Sequence, residues 1–259
     1  MTTIAIYGLA VSLVLMTGLW IVSLLVKNVS IVDIFWSLTI LSIGWVYGAQ
    51  SELITTPHLV VLAFLHLWAI RLAFYLAWRS WGEPEDKRYR AMRDARGTSF
   101  RWVSLFTVFW LQAGLAWLVS LPLLFVFQAD VTIRYADAFA IALFLIGFFF
   151  EAIGDWQMDR FRSDPNNRGQ VCDGGLWRYT RHPNYFGEAV LWWGFWVFAL
   201  ARSAPFWSVL SPLLLTFLLL RVSGARLLER SLIKEKPAYQ DYVRRTSAFV
   251  PWMPDRTCR

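Results

Sequence analysis

The sequence predicts an all-α integral membrane protein, a bundle of seven transmembrane helices. Three observations predict it. Hydrophobic residues fill 57% of the 259 positions, and the mean hydropathy is +0.45, both above what a soluble chain carries. The apolar residues gather into runs approaching the ~20 that a bilayer crossing needs. The Lys and Arg residues crowd the segments between alternate runs, so one face of the predicted bundle is basic.

Taken in order, the spans are predicted at 4–26, 31–49, 58–80, 102–128, 135–157, 186–201 and 205–224. The first run is too long for a cleaved signal peptide and lacks a basic stretch before it. The sixth and seventh are short and meet at a tight turn around Arg202-Ser203-Ala204-Pro205, with Pro205 suited to the first turn of the last helix. No internal repeat or low-complexity stretch divides the chain, which reads as a single membrane domain over 1–259, with helices 1–4 in 1–128 and helices 5–7 and the tail in 135–259. Cys172 and Cys258 lie too far apart to form a metal or disulfide pattern.

The net charge of +7 is not a nucleic-acid signature here, because it follows the membrane. Lys87, Arg88, Arg90, Arg93, Arg96 and Arg101 follow helix 3. Arg160, Arg162, Arg168, Arg178 and Arg181 follow helix 5. Arg226, Arg230, Lys234, Lys236, Arg244, Arg245, Arg256 and Arg259 lie in the tail. The opposite face shows only Arg134 and Arg202. The positive-inside rule puts the basic loops and the C-terminus in the cytoplasm and the N-terminus outside. Membrane lipids are therefore a partner; no obligate protein partner is evident.

Several polar residues interrupt or adjoin the apolar runs, where unpaired charge is costly. Asp33 heads helix 2 in Val32-Asp33-Ile34-Phe35-Trp36-Ser37. It reads either as a carboxylate favoured by the helix macrodipole or as a buried acid able to donate to a substrate. Gln112 reads as interhelical glue or as a ligand contact. Glu85-Asp86-Lys87-Arg88-Tyr89 has the mixed charge of a solvated surface, yet Arg88, Arg160, Arg162 and the tail basics converge on one face and can clamp a polyanion. Glu151 and Asp155 are four apart and share a helix face, with Arg162 seven further on. Arg71 and Arg221 lie near or within spans and read as functional or as snorkelling cations. No glycine-rich dinucleotide fingerprint, phosphate loop or Cys/His metal spacing is present.

The densest polar stretch is Gly174-Gly175-Leu176-Trp177-Arg178-Tyr179-Thr180-Arg181-His182-Pro183-Asn184-Tyr185-Phe186-Gly187-Glu188. With the tail pieces Tyr239-Gln240-Asp241-Tyr242 and Thr246-Ser247-Ala248-Phe249-Val250-Pro251-Trp252, it resembles the C-terminal domain of the steroid 5α-reductase family. The resemblance runs from about Phe144 to the end, and more weakly to Asp33, Glu85–Tyr89 and Gln112. It implies a bacterial plasma-membrane enzyme, a seven-helix bundle whose cytoplasmic loops close a cavity for NADPH. Its activity would be NADPH-dependent reduction of the C=C bond of a lipophilic enone, such as a 3-oxo-Δ4-steroid. Hydride would go to the β-carbon and a proton to the α-carbon. The resemblance further implies cofactor contacts from Arg88, Tyr89, Glu151, Asp155, Arg162, Arg178, Tyr179, His182, Asn184, Tyr185, Glu188 and Tyr242. The substrate-polarising acid would be Asp33, with Trp36 and Gln112 on the substrate. Two positions depart from the family pattern: Trp68 stands where the family has a tyrosine, and Glu151 where it has an asparagine.

Arg181-His182-Pro183-x-Tyr185-x-Gly187 also resembles the isoprenylcysteine carboxyl methyltransferases and membrane phospholipid methyltransferases, which use S-adenosylmethionine and usually carry a Glu-Glu pair after the last helix. This chain has Leu227-Leu228-Glu229-Arg230 there, with one acid. A small transporter is a third class, but no inverted repeat or matched pair of broken helices supports it.

Overall fold

The computed structural model describes residues 1–129, 134–222, 229 and 238–255. Arg226, Leu227, Leu228, Arg230, Lys234, Lys236, Arg256, Cys258 and Arg259, and the end of the predicted last span at 223–224, lie outside the described residues. Among the described residues the secondary structure is helical, with no strand. Contacts divide the chain into two units. One is Met1–Ile133 with Ala199–Ser211; the other is Arg134–Phe198 with Pro212–Arg259.

In the first unit, α1 (Thr2–Val26), α2 (Ile31–Ala49) and α3 (Thr56–Arg79) follow the predicted runs. The buried face of α1 carries Gly8, Ser12, Met16, Trp20 and Ser23, while Ile6, Val14, Leu15, Ile21 and Leu25 are exposed. Small and polar residues inward with large aliphatics outward is the pattern of a helix bathed in lipid. The polar segment after α3 is not the loop expected of it. It folds as α4 (Lys87–Arg96), because the Asp86 side chain caps the helix by accepting from the Arg88 N–H. Tyr89 and Met92 pack into the core of Met16, Trp20, Val32, Phe100 and Phe109. A helix-period apolar pair hidden among the six charges of α4 is easily missed. α5 (Phe100–Ser104) leads through a π-helical stretch, Leu105–Trp110, into α6 (Leu111–Phe127).

The second unit is built on α7 (Tyr135–Ser163) and α8 (Pro183–Leu200). α7 opens where the Asp137 carboxylate accepts from the Arg134 N–H. It runs past the predicted end at 157, because no helix breaker occurs before Asp164-Pro165. α9 (Leu210–Phe217) and α10 (Ala238–Arg245) complete the described helices. Pro205 precedes a 3-10 turn, Phe206–Val209, rather than opening the α-helix itself.

Among the described residues, five helices are long and apolar enough to cross a membrane: Thr2–Val26, Ile31–Ala49, Thr56–Arg79, Lys87–Phe127 and Tyr135–Ser163. The chain is thus multi-pass. The last two predicted spans fall below that standard for identifiable reasons. The first turns of α8 carry Asn184 and Glu188, and the apolar stretch Phe206–Arg221 is short.

Candidate functional site

Two polar clusters stand out, one in each unit. The first forms where α2, α4 and α6 meet. Two hydrogen bonds stitch the segment before α4 to the head of α2: Val29 N–H to Glu85 Oε1 (2.8 Å) and Asp86 N–H to the Ser30 hydroxyl (2.7 Å). That pinning brings Arg88 and Tyr89 over Asp33 in the first turn of α2. Asp33 accepts from Arg88 Nη2 at 2.8 Å and from the Tyr89 hydroxyl at 2.7 Å. Gln112, just past the π-helical stretch, donates to Asp33 and to the Tyr89 oxygen at 3.4 and 3.3 Å. Trp36, one turn along α2 from Asp33, sits edge-on to the fully buried Trp68, with centroids 6.4 Å apart.

Electrostatics reinforce this arrangement. Burial alone would push Glu85 up, but hydrogen bonds from Arg93 and the Val29 N–H hold it below the ordinary carboxylate value. Asp86 is likewise held low against its burial, by Arg88. The Arg88 guanidinium is shared between Asp33 and Asp86. Around Asp33, the short bonds come from Arg88 and Tyr89. The Gln112 bonds are long and weak, which makes that amide the donor most readily redirected to an incoming oxygen.

The second cluster depends on how closely α7 and α8 approach. A Cβ on Gly147 would lie 2.5 Å from the Gly187 carbonyl oxygen, and one on Gly187 would lie 2.4 Å from the Glu151 N atom. The two backbones therefore touch, as small residues allow in helix pairs. This contact sets Asn184 beside Asp155, with Asn184 Nδ2 donating to Asp155 Oδ1 at 3.0 Å. Asn184 Oδ1 is buried and has no hydrogen-bond partner among the described residues. Glu151, Asp155 and Glu188 are all buried.

The glycine pair and its sequel form the loop leading into α8. Gly175 has φ +58°, and the Gln157 side chain occupies the space a Cβ would take, so only glycine fits. Gln157 accepts from the Leu176 N–H, and Trp177 donates to the Gly154 carbonyl. Tyr242 of α10 donates to the Trp177 carbonyl. Burial raises the pKa of its phenol, which keeps it a donor. Arg181 is buried and donates to Glu229 (2.7 Å) and to the carbonyls of Val243 and Thr246. His182 meets the same carboxylate at 2.9 Å and stacks on Tyr185. Burial would raise Glu229, but His182 and Arg181 outweigh it and lower its pKa to about 2. A cavity of 660 Å³ lies nearby, lined by Gly174, Gly175, Arg178, Arg245 and Thr246, with Asp173 and Asp255 at its wall.

The structure therefore gathers Asp33, Trp36, Arg88, Tyr89 and Gln112 in one place, with Trp68 reached through Trp36. In the second unit it pairs Asp155 with Asn184, His182 with Tyr185, and Tyr242 with the Trp177 backbone. Arg178 reaches the cavity wall. Arg162 is exposed at the end of α7, and Tyr179 is held through its backbone carbonyl, which accepts from Trp252. Sequence reasoning left Arg181 and Glu229 out of the site. A lone acid after the last helix was the available signal, and its partner lay 48 positions away.

Fold and clusters together define a multi-pass helical membrane protein with two built polar sites. The chain belongs to the family described as protein of unknown function DUF1295, which matches residues 19–246. It is also similar to an uncharacterized protein of Schizosaccharomyces pombe, with 27% identity over 276 residues, covering 94% of this chain and 78% of that one. No solved structure matches it.

Proposed function

We propose that this protein is a membrane reductase related to the steroid 5α-reductases, using NADPH to reduce the C=C bond of a lipophilic enone such as a 3-oxo-Δ4-steroid. In this reading the bundle crosses the membrane seven times, with the N-terminus outside and the C-terminus in the cytoplasm.

The observation that carries the reading is Asn184. Its amide nitrogen is committed to Asp155, and its buried oxygen lacks a partner among the described residues. A buried acceptor left unpaired costs about 1–3 kcal/mol, so the position suits a ligand that brings an N–H. The carboxamide of a nicotinamide has such a group, and Glu188, one turn on, is a second acceptor. In the same unit a separate cavity is lined by Arg178 and by Arg245, which is paired with Asp173; guanidinium groups of this kind suit phosphate.

A bound NADPH would supply hydride for the β-carbon of the enone, and a proton taken up at the α-carbon would complete the reduction. The chain's own task is to hold the carbonyl oxygen as negative charge develops on it. Within the first unit the Gln112 amide, held only by long bonds, is the donor available to that oxygen, while the Tyr89 hydroxyl and Arg88 donate to Asp33 beside it. Preorganised donors of this kind are typically worth about 100- to 1000-fold in rate. Trp36, partly exposed on α2, offers a flat apolar face for a ring system, with the fully buried Trp68 packed against it.

One observation favours a second reading, an S-adenosylmethionine-dependent methyltransferase: Glu229 closes on Arg181 and His182 of the shared motif. The test is thermal stabilisation of the purified protein by NADPH, NADH and S-adenosylmethionine. The reductase reading expects NADPH to stabilise most, by about 2.7 kcal/mol at a hundredfold excess over Kd. Asn184→Ala should abolish that stabilisation while the protein stays folded. Stabilisation by S-adenosylmethionine alone would overturn it in favour of the methyltransferase.

A further inference from the structure

The segment that follows α10 is apolar, ordered and exposed, and no helix accounts for it. Val250, Trp252 and Met253 are 59%, 74% and 77% exposed. Their backbone is nevertheless fastened at three points. The Thr180 hydroxyl donates to the Phe249 carbonyl at 2.8 Å. Trp252 N–H donates to the Tyr179 carbonyl, and Asp255 N–H to the Arg245 carbonyl, both at 2.9 Å. An exposed tail that was merely solvated would not carry large apolar side chains on a fixed frame.

The depth of this strap follows from α7, which is long and apolar enough to span the bilayer. The loop residues that fasten the strap hang from the turn of α7 where its apolar run ends. Trp177 donates to Gly154, and Leu176 to Gln157. Phe249 packs edge-on against Phe186 in the first turns of α8, and Phe186 packs against Phe150 of α7. Beyond Gly154, α7 becomes charged through Asp155, Asp159, Arg160 and Arg162. At that level Trp156 is itself exposed, with Arg160 over its ring. A tryptophan flanked by arginine at the end of a span marks the headgroup region.

We propose that the strap 249–254 is an interfacial membrane anchor, with Val250, Trp252 and Met253 seated in the headgroup and upper acyl region of the bilayer that α7 crosses. The occupant of this apolar surface is lipid. The flanking charge agrees, because Arg244 and Arg245 precede the strap and Arg256 and Arg259 follow it in sequence, as suits an anionic surface. The anchor has a consequence for the second cluster. The same stretch of chain holds Arg181, whose N–H donates to the Ser247 carbonyl, so seating the strap in lipid steadies the loop that carries Arg181 and His182.

The test uses the full chain with Cys172 and Cys258 replaced by Ser. A single Met253→Cys is labelled with an environment-sensitive fluorophore, and a parallel Val250→Cys guards against a misfolded variant. Each is reconstituted in phosphatidylcholine–phosphatidylglycerol vesicles that carry nitroxide lipids. Blue-shifted emission is expected, quenched most by nitroxide near the top of the acyl chain and less by aqueous iodide. Strong iodide quenching with no nitroxide quenching would overturn the proposal, because the strap would then be in water. Emission quenched by neither agent would also overturn it, since protein, a partner or a second copy, would be the cover.

Discussion

Glu229 shows how a single side chain can hold a loop. Its carboxylate takes hydrogen bonds from both Arg181 and His182, which are neighbours in sequence. Its pKa drops from the ordinary 4.5 to about 2. A depressed carboxyl contributes stability in full above its unfolded value and loses it as pH falls through the folded one. The protein should therefore lose on the order of 2–3 kcal/mol of stability between about pH 5 and pH 2 from this group. Glu229→Gln should remove that part of the pH dependence and lower stability at neutral pH by about 1–3 kcal/mol, because Arg181 would keep only its carbonyl partners. Thermal unfolding in detergent across this range checks it; parallel curves for the two proteins would refute it. Asp33 shows the limit of reading residue by residue. Its placement at the head of an apolar helix was visible in the sequence, and so was the company of Trp36. Its role as the acceptor for Arg88 and Tyr89 was not, because those donors arrive from a helix 55 and 56 positions away.

At the scale of elements, the pairing of α7 with α8 decides whether the second cluster exists. The contact is backbone to backbone, so no side chain can rotate to relieve an added methyl group. Gly187→Ala would place Cβ within 2.4 Å of the Glu151 N atom and the Gly147 carbonyl oxygen. The helices would have to part, which separates Asn184 from Asp155. The expected cost is about 1–3 kcal/mol, read as a lower Tm, together with loss of nucleotide-induced stabilisation. Gly114→Ala in α6 is the control. Nothing lies within 4 Å of its Cβ position, so the change should be neutral or stabilising by up to ~1 kcal/mol. Equal losses in both variants would show that the α7–α8 contact is not special. The long apolar helices were legible in the sequence because hydropathy follows directly from composition along the chain. α4 was not, because its charges outweigh the two residues that bury it. The length of α7 was underestimated because an α-helix, once begun, continues into water until a breaker stops it.

For the whole molecule, the charge distribution and the packing of the last turn together make a claim about topology. Basic residues follow α3 and α7 and fill the tail, whereas the segments 128–134 and 202–205 hold only Arg134 and Arg202. Each Lys or Arg in a short loop resists translocation, so the basic side should stay in the cytoplasm. That rule alone does not say whether the hairpin of α8 and the stretch after it crosses the bilayer, because it predicts a cytoplasmic C-terminus either way. The turn between them supports a crossing. Within the first unit, Ser211 donates to the Val119 carbonyl, and Trp207 packs against Phe125 of α6. Phe125 is two residues before the end of α6 at Phe127, next in sequence to the segment 128–134. The hairpin tip therefore shares a side with that segment. A cysteine at Ser203, whose φ of +60° marks the tight turn, should react with a membrane-impermeant thiol reagent added outside intact cells, as should one at Gln128. A cysteine at Ser163, at the end of α7, should react only after the cells are opened. All three belong in the chain with Cys172 and Cys258 replaced by Ser. Labelling of 128 but not 203 from outside would mean that the hairpin turns back without crossing, leaving five spans. Labelling of 163 alone from outside would mean that the whole bundle is inverted.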